Sequence, residues 1–311
     1  MGRTLSSPEQ AAAWMKEQAR ALGLDAVGIA RAGPTPDADQ FRAALAAGRL
    51  AGVPYLDERV AERCDPRLLV PGARSVVVVA MGYADARPPR PDGPHLQVAR
   101  YAARRDYHNP MIKKLRSLRR RQREAWPGSD AYVAADTGAV LERAWAQQAG
   151  LGWVGKNTML LSTRLGSYTV LGSMVTTVEL APDAPGTDHC GTCTACLTAC
   201  PTGALVAPHV LDARRCITTH TVENPGDDVA ADAPPFHGWV FGCDVCQEVC
   251  PWADRGTANA ALPARADLAF LPVKGLTTLD AAELIPSLAG TPLARAKVKG
   301  LIRNARARPR S

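Results

Sequence analysis

The sequence predicts an α+β protein in three parts. An α/β-type N-terminal domain covers residues 1–182, a small cysteine-rich domain covers 183–255, and a short, basic helical tail covers 256–311. Three observations carry this. Strand and helix patterns alternate through the first part. Eight of the nine cysteines fall between positions 190 and 250. Beyond Asp254 the chain is rich in Ala and Leu and holds seven Lys or Arg, with no acid, from position 295 onward.

The elements follow in order. Ser7 can cap a helix that starts at Pro8, with Gln10 completing a capping box and Met15, Ala19 and Leu22 at helical spacing. Residues 26–30 and the valine-rich 75–80 read as buried strands. Residues 109–125 read as a helix with Met111, Ile112, Leu115 and Leu118 on its inner side. Residues 132–135 form a short strand ending at Asp136. A helix follows with Val140, Leu141, Ala144 and Trp145 facing inward, and 168–177 is a further strand. From Asp183 the texture turns to Pro, Gly, Cys and Asp, as expected where metal bonds replace apolar core. The tail predicts one short helix over 279–285, stopped by Pro286.

Apolar residues make up 46% of the 311, enough to bury a core and to exclude a disordered chain. No segment approaches the roughly 18–20 apolar residues that span a bilayer, and the first seven residues lack the apolar stretch of a signal peptide. A cytoplasmic protein is expected. The net charge of +7 is uneven: positions 104–124 hold nine Lys or Arg against Asp106 and Glu124. This cluster, with Arg119, Arg120 and Arg121 at its centre, and the run from Arg295 to Arg310 suit a polyanionic partner, although such runs are also solvated helix faces.

Nine cysteines in a cytoplasmic chain point to metal or catalysis rather than disulfides. Cys190, Cys193, Cys196 and Cys200, followed by Pro201, make the ferredoxin run C-x2-C-x2-C-x3-C-P. Two-residue gaps let three thiolates reach three corners of one iron–sulfur cube, and the fourth cysteine turns away to serve a second. Zinc sites show two separated C-x2-C pairs instead. Cys243, Cys246 and Cys250, followed by Pro251, repeat the last three positions, and Cys216 stands in for the missing first. Crossed ligation then assigns Cys190, Cys193, Cys196 and Cys250 to one [4Fe–4S] cluster and Cys200, Cys216, Cys243 and Cys246 to another. The cysteine-rich part is therefore ferredoxin-like, with two clusters. Cys64 stands alone and reads as a small buried side chain. A two-cluster ferredoxin needs far fewer residues, so the domain ahead of the clusters is expected to use the electrons.

Several segments together resemble the epoxyqueuosine reductase family. They are Asp65-Pro66-Arg67-Leu68-Leu69-Val70-Pro71-Gly72-Ala73, Ala99-Arg100-Tyr101, Asp106-Tyr107-His108, Asp136-Thr137-Gly138 with Val140-Leu141-Glu142-Arg143, and Ala149-Gly150-Leu151-Gly152-Trp153-Val154-Gly155-Lys156-Asn157-Thr158. Leu211-Asp212-Ala213-Arg214-Arg215-Cys216 and Phe241-Gly242-Cys243-Asp244-Val245-Cys246-Gln247 complete the set. The resemblance runs from about residue 20 to Trp252, with a shorter echo near the C-terminus. It implies a cobalamin cofactor beside the clusters. It also implies reductive removal of the epoxide oxygen from epoxyqueuosine at the wobble position of tRNA, presented on an anticodon stem-loop, by a monomer supplied by an external single-electron donor such as ferredoxin or flavodoxin. The chain has no Asp-x-His-x-x-Gly signature of proteins that give cobalt a histidine, in keeping with the family.

By resemblance, Asp136 is the proton donor. A carboxyl can serve if burial raises its pKa, and the end of an apolar strand is a usual address for site residues; capping of the next helix is the bland reading. The resemblance places Arg59, Asp136, Lys156, Asn157, Thr158, Leu160, Cys243 and Asp244 at the cofactor, with Arg63, Tyr107 and His108 as weaker candidates. Two departures stand out. Many relatives have a longer helical-repeat tail, and Ile217-Thr218-Thr219-His220-Thr221 replaces the family's usual Ile-Ser-Tyr-Leu-Thr. A corrinoid reductive dehalogenase and a non-catalytic two-cluster electron carrier are the alternatives. The first is usually exported behind a twin-arginine signal, which this sequence lacks, and the second predicts no bound corrinoid.

Overall fold

The computed structural model describes residues 7–278 and 281–307. Ser7 caps α1 (Pro8–Ala21), its hydroxyl accepting from the Gln10 N–H at 3.3 Å, and Met15 and Ala19 are buried. β1 (Ala26–Arg31), α2 (Ala38–Ala46), α3 (Val60–Cys64) and β2 (Ser75–Gly82) follow. Then come β3 (His95–Val98), α4 (His108–Ala125), β4 (Ala131–Ala134), α5 (Glu142–Gln148), the hairpin of β5 (Trp153–Val154) and β6 (Leu160–Leu161), and β7 (Thr169–Thr176). The cysteine-rich part adds α6 (Ala195–Ala199), β8 (Leu205–Ala207), β9 (Val210–Leu211), β10 (Trp239–Phe241) and α7 (Val245–Glu248). The tail supplies β11 (Phe270–Pro272), α8 (Val273–Thr278), α9 (Ala281–Leu288) and α10 (Lys297–Arg306).

The central sheet has the order β1-β2-β7-β4. Successive side chains of β2 alternate between two cores, as the two-residue strand period requires. Val77, Val79 and Met81 pack with Met15 of α1 and Met111, Leu115 and Leu118 of α4. Val76, Val78 and Ala80 pack with Trp145 and Ala146 of α5. Cover on both faces explains the unbroken apolar run of β2. Every pair in this sheet is antiparallel, so the fold is α+β and the alternation of patterns does not build parallel crossover units.

A second sheet crosses the sequence boundaries at 182 and 255. β3 from the first part pairs in parallel with β10 and antiparallel with β11. Leu96, Val98, Val240 and Phe241 share one core with Leu293, Val298 and Leu301 of the tail. The tail is thus built into the body of the protein. Its predicted helix differs in detail: residues 279–280 lie outside the described residues, and α9 runs on through Pro286 to Leu288 rather than stopping at the proline.

Candidate functional site

Asp136 follows β4 in a tight turn. Its φ is +63°, in the left-handed region, which costs a non-glycine residue on the order of 1–3 kcal/mol and which Asp tolerates better than most. Two neighbours hold the turn. The Asp136 N–H donates to both Glu142 carboxyl oxygens, at 3.1 and 3.2 Å. Gly138 packs back on β4 so closely that a Cβ there would lie 2.3 Å from Ala134 Cβ. The buried Arg63 guanidinium donates to the carbonyls of Gly138, Tyr55 and Glu58, which makes Arg63 a brace for this turn.

Four segments distant in sequence converge on the Asp136 carboxylate. His108, the first residue of α4, places Nε2 at 3.3 Å from Oδ2, and its Nδ1 meets Asp106 Oδ1 at 2.6 Å. The Tyr107 ring stacks on the His108 ring at 4.1 Å. Arg295, from the tail, sits 3.5 Å from the same Oδ2 and 2.7 Å from Glu223 Oε2, with the Tyr55 ring 6.0 Å from its guanidinium carbon. Glu223 closes a π-helical turn, Thr219–Glu223, that follows Cys216 in the cysteine-rich part.

The charges settle where the proton rests. Burial pushes the Asp136 carboxyl up, but the hydrogen bond and charge of His108, the Arg295 charge and the Tyr107 hydroxyl outweigh it, and the carboxyl titrates below its ordinary range. Burial, the route by which the sequence would have Asp136 hold its proton, is thus opposed by these neighbours, which favour the carboxylate form. Burial also disfavours the charged His108 ring, yet Asp106 and Asp136 together raise it to about 9. Burial, with the nearby Asp136 charge, pushes Glu142 up to about 8.

The structure gathers the eight cysteines into two neighbourhoods. Cys190, Cys193, Cys196 and Cys250 line one cavity with Lys156 and Trp252, and the Trp153 indole N–H donates to Cys190 Sγ at 3.4 Å. Burial raises the Cys243 thiol to about 12, with Cys216 and Cys200 adding to it. The Cys246 thiol likewise rises through burial and the charges of Cys243, Cys216 and Cys200. Among the described residues no three His, Cys, Asp or Glu side chains converge as ligands to a single metal ion. Thiols surrounding a cavity suit a cube of iron and sulfide, whose corners keep the ligands apart. Cys64 lies elsewhere, buried at 2% exposure beside Phe41 and Ala38. Cys64→Ser is expected to leave iron and acid-labile sulfide content unchanged; a fall in either would give this thiol a place in a ligand set.

The other candidate cofactor residues take mixed positions. Lys156 Nζ donates to the carbonyls of Gly191, at 2.6 Å, and Cys193, at 2.9 Å, so it braces the first cluster loop. Asn157, buried, donates to the Cys246 carbonyl at 3.2 Å. Thr158 has a φ of +65°, and its carbonyl accepts from Arg143 at 2.7 Å. The Leu160 side chain is buried in the core cluster that holds Val76, Val78 and Trp145. Arg59 is exposed and paired with Glu62 at 3.1 Å. The Asp244 carboxylate, 1% exposed, turns inward to accept from the Arg100 N–H at 2.6 Å, and burial raises it to about 6. Burial, with the charges of Asp136, Glu223 and Asp244, raises the Tyr101 hydroxyl well above its ordinary value. The His108 ring offers no free nitrogen to a metal, because Asp106 and Asp136 engage both.

Residue-by-residue sequence reasoning missed Tyr55, Glu142, Glu223 and Arg295. Glu142 stood in a quoted motif without a role, and Arg295 counted only as positive charge. Tyr55 and Glu223 carried no local signal.

Fold and site define a class: an iron–sulfur oxidoreductase whose cluster domain is docked on an α+β domain that carries a cluster of charged side chains around Asp136. Residues 189–253 match the 4Fe-4S double cluster binding domain, and residues 63–137 match the epoxyqueuosine reductase QueG domain DUF1730. A curated epoxyqueuosine reductase from Gloeobacter violaceus is 41% identical over 304 residues, covering 95% of this chain and 94% of that protein. The chain belongs to the epoxyqueuosine reductase family. A solved epoxyqueuosine reductase with a tRNA-TYR epoxyqueuosine-modified tRNA stem loop superimposes with a TM-score of 0.86 at 30% identity, covering 97% of this chain and 81% of that one. A reductive dehalogenase described in terms of B12-dependent dehalogenation shares the fold, with a TM-score of 0.54 at 16% identity over 98% of this chain and 39% of that one.

Proposed function

We propose that this chain is an epoxyqueuosine reductase that takes the epoxide oxygen from epoxyqueuosine at the tRNA wobble position. The observation that carries the reading is the Asp106–His108–Asp136 chain standing beside the double-cluster domain. Converting an epoxide to an alkene consumes two electrons and two protons and releases water. Two [4Fe–4S] clusters would pass the electrons singly from an external donor such as a ferredoxin or flavodoxin. Cobalamin, when bound, supplies a strongly reducing cobalt centre for the carbon–oxygen bond. Asp136, Tyr101, Arg59 and the backbone of Cys243 and Asp244 would line the corrin, with Lys156 and Asn157 holding the cluster loops behind it. Asp136 Oδ2 would hand a proton to the departing oxygen, a poor leaving group as the alkoxide. The protein is placed in the cytoplasm on this reading, and among the described residues no helix is long and apolar enough to cross a membrane.

Two anaerobic measurements test it. Protein purified with corrinoid supplied should show a bound corrinoid spectrum, and an anticodon stem-loop bearing epoxyqueuosine should lose one oxygen by mass spectrometry. Clusters without bound corrinoid would favour the electron-carrier alternative.

The RNA surface is narrower than the charge runs imply. Arg119 donates to the Ala131 carbonyl and Arg121 to Gln18, while Arg295, Lys299 and Arg303 serve contacts within the protein; positions 308–311 lie outside the described residues. The exposed basic residues of α4 are Lys113, Arg116, Arg120 and Arg123; Arg123 is paired with Asp130 at 2.7 Å and Arg120 lies 3.8 Å from Glu124, and the first three are spaced three and four residues apart on one face. They form a stripe reaching roughly 18 Å from His108 at 1.5 Å per residue. Replacing these three by alanine is expected to weaken stem-loop binding and to flatten the salt dependence by about 2–3 in log–log slope, at roughly 0.7–0.9 per lost phosphate contact. Unchanged affinity and slope would make the stripe a solvated helix face.

A further inference from the structure

The proposed reaction needs protons, and the carboxylate assigned to deliver one is bracketed at the same Oδ2 by His108, at 3.3 Å, and Arg295, at 3.5 Å, two groups whose positive charge favours its ionised form. Of the groups in contact with Asp136, the Arg295 guanidinium does not deprotonate in proteins and burial holds the proton on the Tyr107 hydroxyl, which leaves His108 as the one that can both carry a proton and lose it. Its geometry is that of a relay. Nδ1 is held at 2.6 Å by Asp106 Oδ1, whose other hydrogen bond, from the His108 N–H at 2.9 Å, fixes the carboxylate in place. Nε2 points at Asp136 Oδ2. The Tyr107 ring lies flat against the imidazole and limits its rotation. The His108 side chain is 29% exposed, enough to be recharged from water.

We propose that His108, backed by Asp106, is the proton store of the site and that Asp136 works as the carrier between it and the substrate oxygen. In the step, the Nε2–H bond of His108 breaks and an O–H bond forms on Asp136 Oδ2. That O–H then breaks as the departing oxygen is protonated. The two electrons for carbon–oxygen cleavage come one at a time, in two deliveries from the external one-electron reductant through the cluster domain. His108 is left neutral and takes its next proton from solvent, so the same path can serve both protons of a turnover. His108 acts through Asp136 and is therefore a positioning and supply residue, while Asp136 touches the substrate. The charged and titratable groups around the ring are Asp106, Asp136, Tyr107, Glu142 behind the Asp136 backbone, and Arg295 on the shared oxygen.

The proposal rests on the epoxyqueuosine reductase reading, and the test separates the two. Turnover of an epoxyqueuosine stem-loop is measured against pH for the reconstituted parent, Asp106→Asn and His108→Gln, with iron content and thermal midpoint checked for each. No turnover in the parent at any pH sinks the functional reading. Given an active parent, the rate should fall on the alkaline side as His108 loses its proton, near pH 9. Asp106→Asn should move that limb down by about one pH unit or more, since one of the two carboxylates that favour the charged ring is gone. His108→Gln should lower the rate at least about tenfold, within the range general acid catalysis supplies, and erase the limb. An alkaline limb in the same place in both variants overturns the proposal. Should a variant fail to fold, the ring is titrated in the parent by nitrogen-15 NMR: loss of charge near pH 9 supports the proton store, and titration at an ordinary histidine value overturns it.

Discussion

Asp136→Asn is expected to keep iron, sulfide and corrinoid content and to lose about 10²–10⁴-fold in turnover, the usual worth of a general acid. The amide is close in shape to the carboxylate and, like Asp, tolerates the left-handed backbone at φ +63°. Its oxygen can still accept from His108 and Arg295, so the turn should survive. It cannot take a proton from Nε2 and release it to the departing oxygen. The substitution also removes one of the two carboxylates that hold His108 charged, so the ring should titrate lower in the variant. Near-normal turnover would show that the proton reaches the substrate without Asp136.

The same residue shows how far the sequence could be read. That Asp136 ends an apolar strand is local information, and the pattern carries it. The ionisation of Asp136 is set by His108, 28 residues earlier, and by Arg295, near the other end of the chain. No local pattern brings those two together; the packing of the tail against β3 and β10 does. The valine run of β2 likewise shows burial on both faces, and says nothing about strand direction, which is why the antiparallel order had to come from the structure. Lys156 illustrates a third kind of gap. A lysine after a glycine-rich turn suggests a ligand contact, yet its ammonium is used on carbonyls of the cluster loop.

The cysteines lie at the opposite extreme, because cluster ligands are set by short spacings that the sequence displays directly. The crossed pairing proposed for them yields the second large prediction. Cys216→Ser should lose the cluster held with Cys200, Cys243 and Cys246, keep about four irons of the eight that two cubes contain, and abolish turnover, because the electron path is cut. Cys250→Ser should also halve the iron, but by emptying the other cavity, the one that Cys250 lines with Cys190, Cys193 and Cys196. The two half-loaded proteins should therefore differ in the electron paramagnetic resonance of the cluster that remains. If ligation were uncrossed, Cys250 would serve the same cube as Cys243 and Cys246, and both variants would retain the same cluster with the same spectrum. Identical spectra would overturn the crossed assignment, and eight irons retained in Cys216→Ser would remove Cys216 from the ligands altogether.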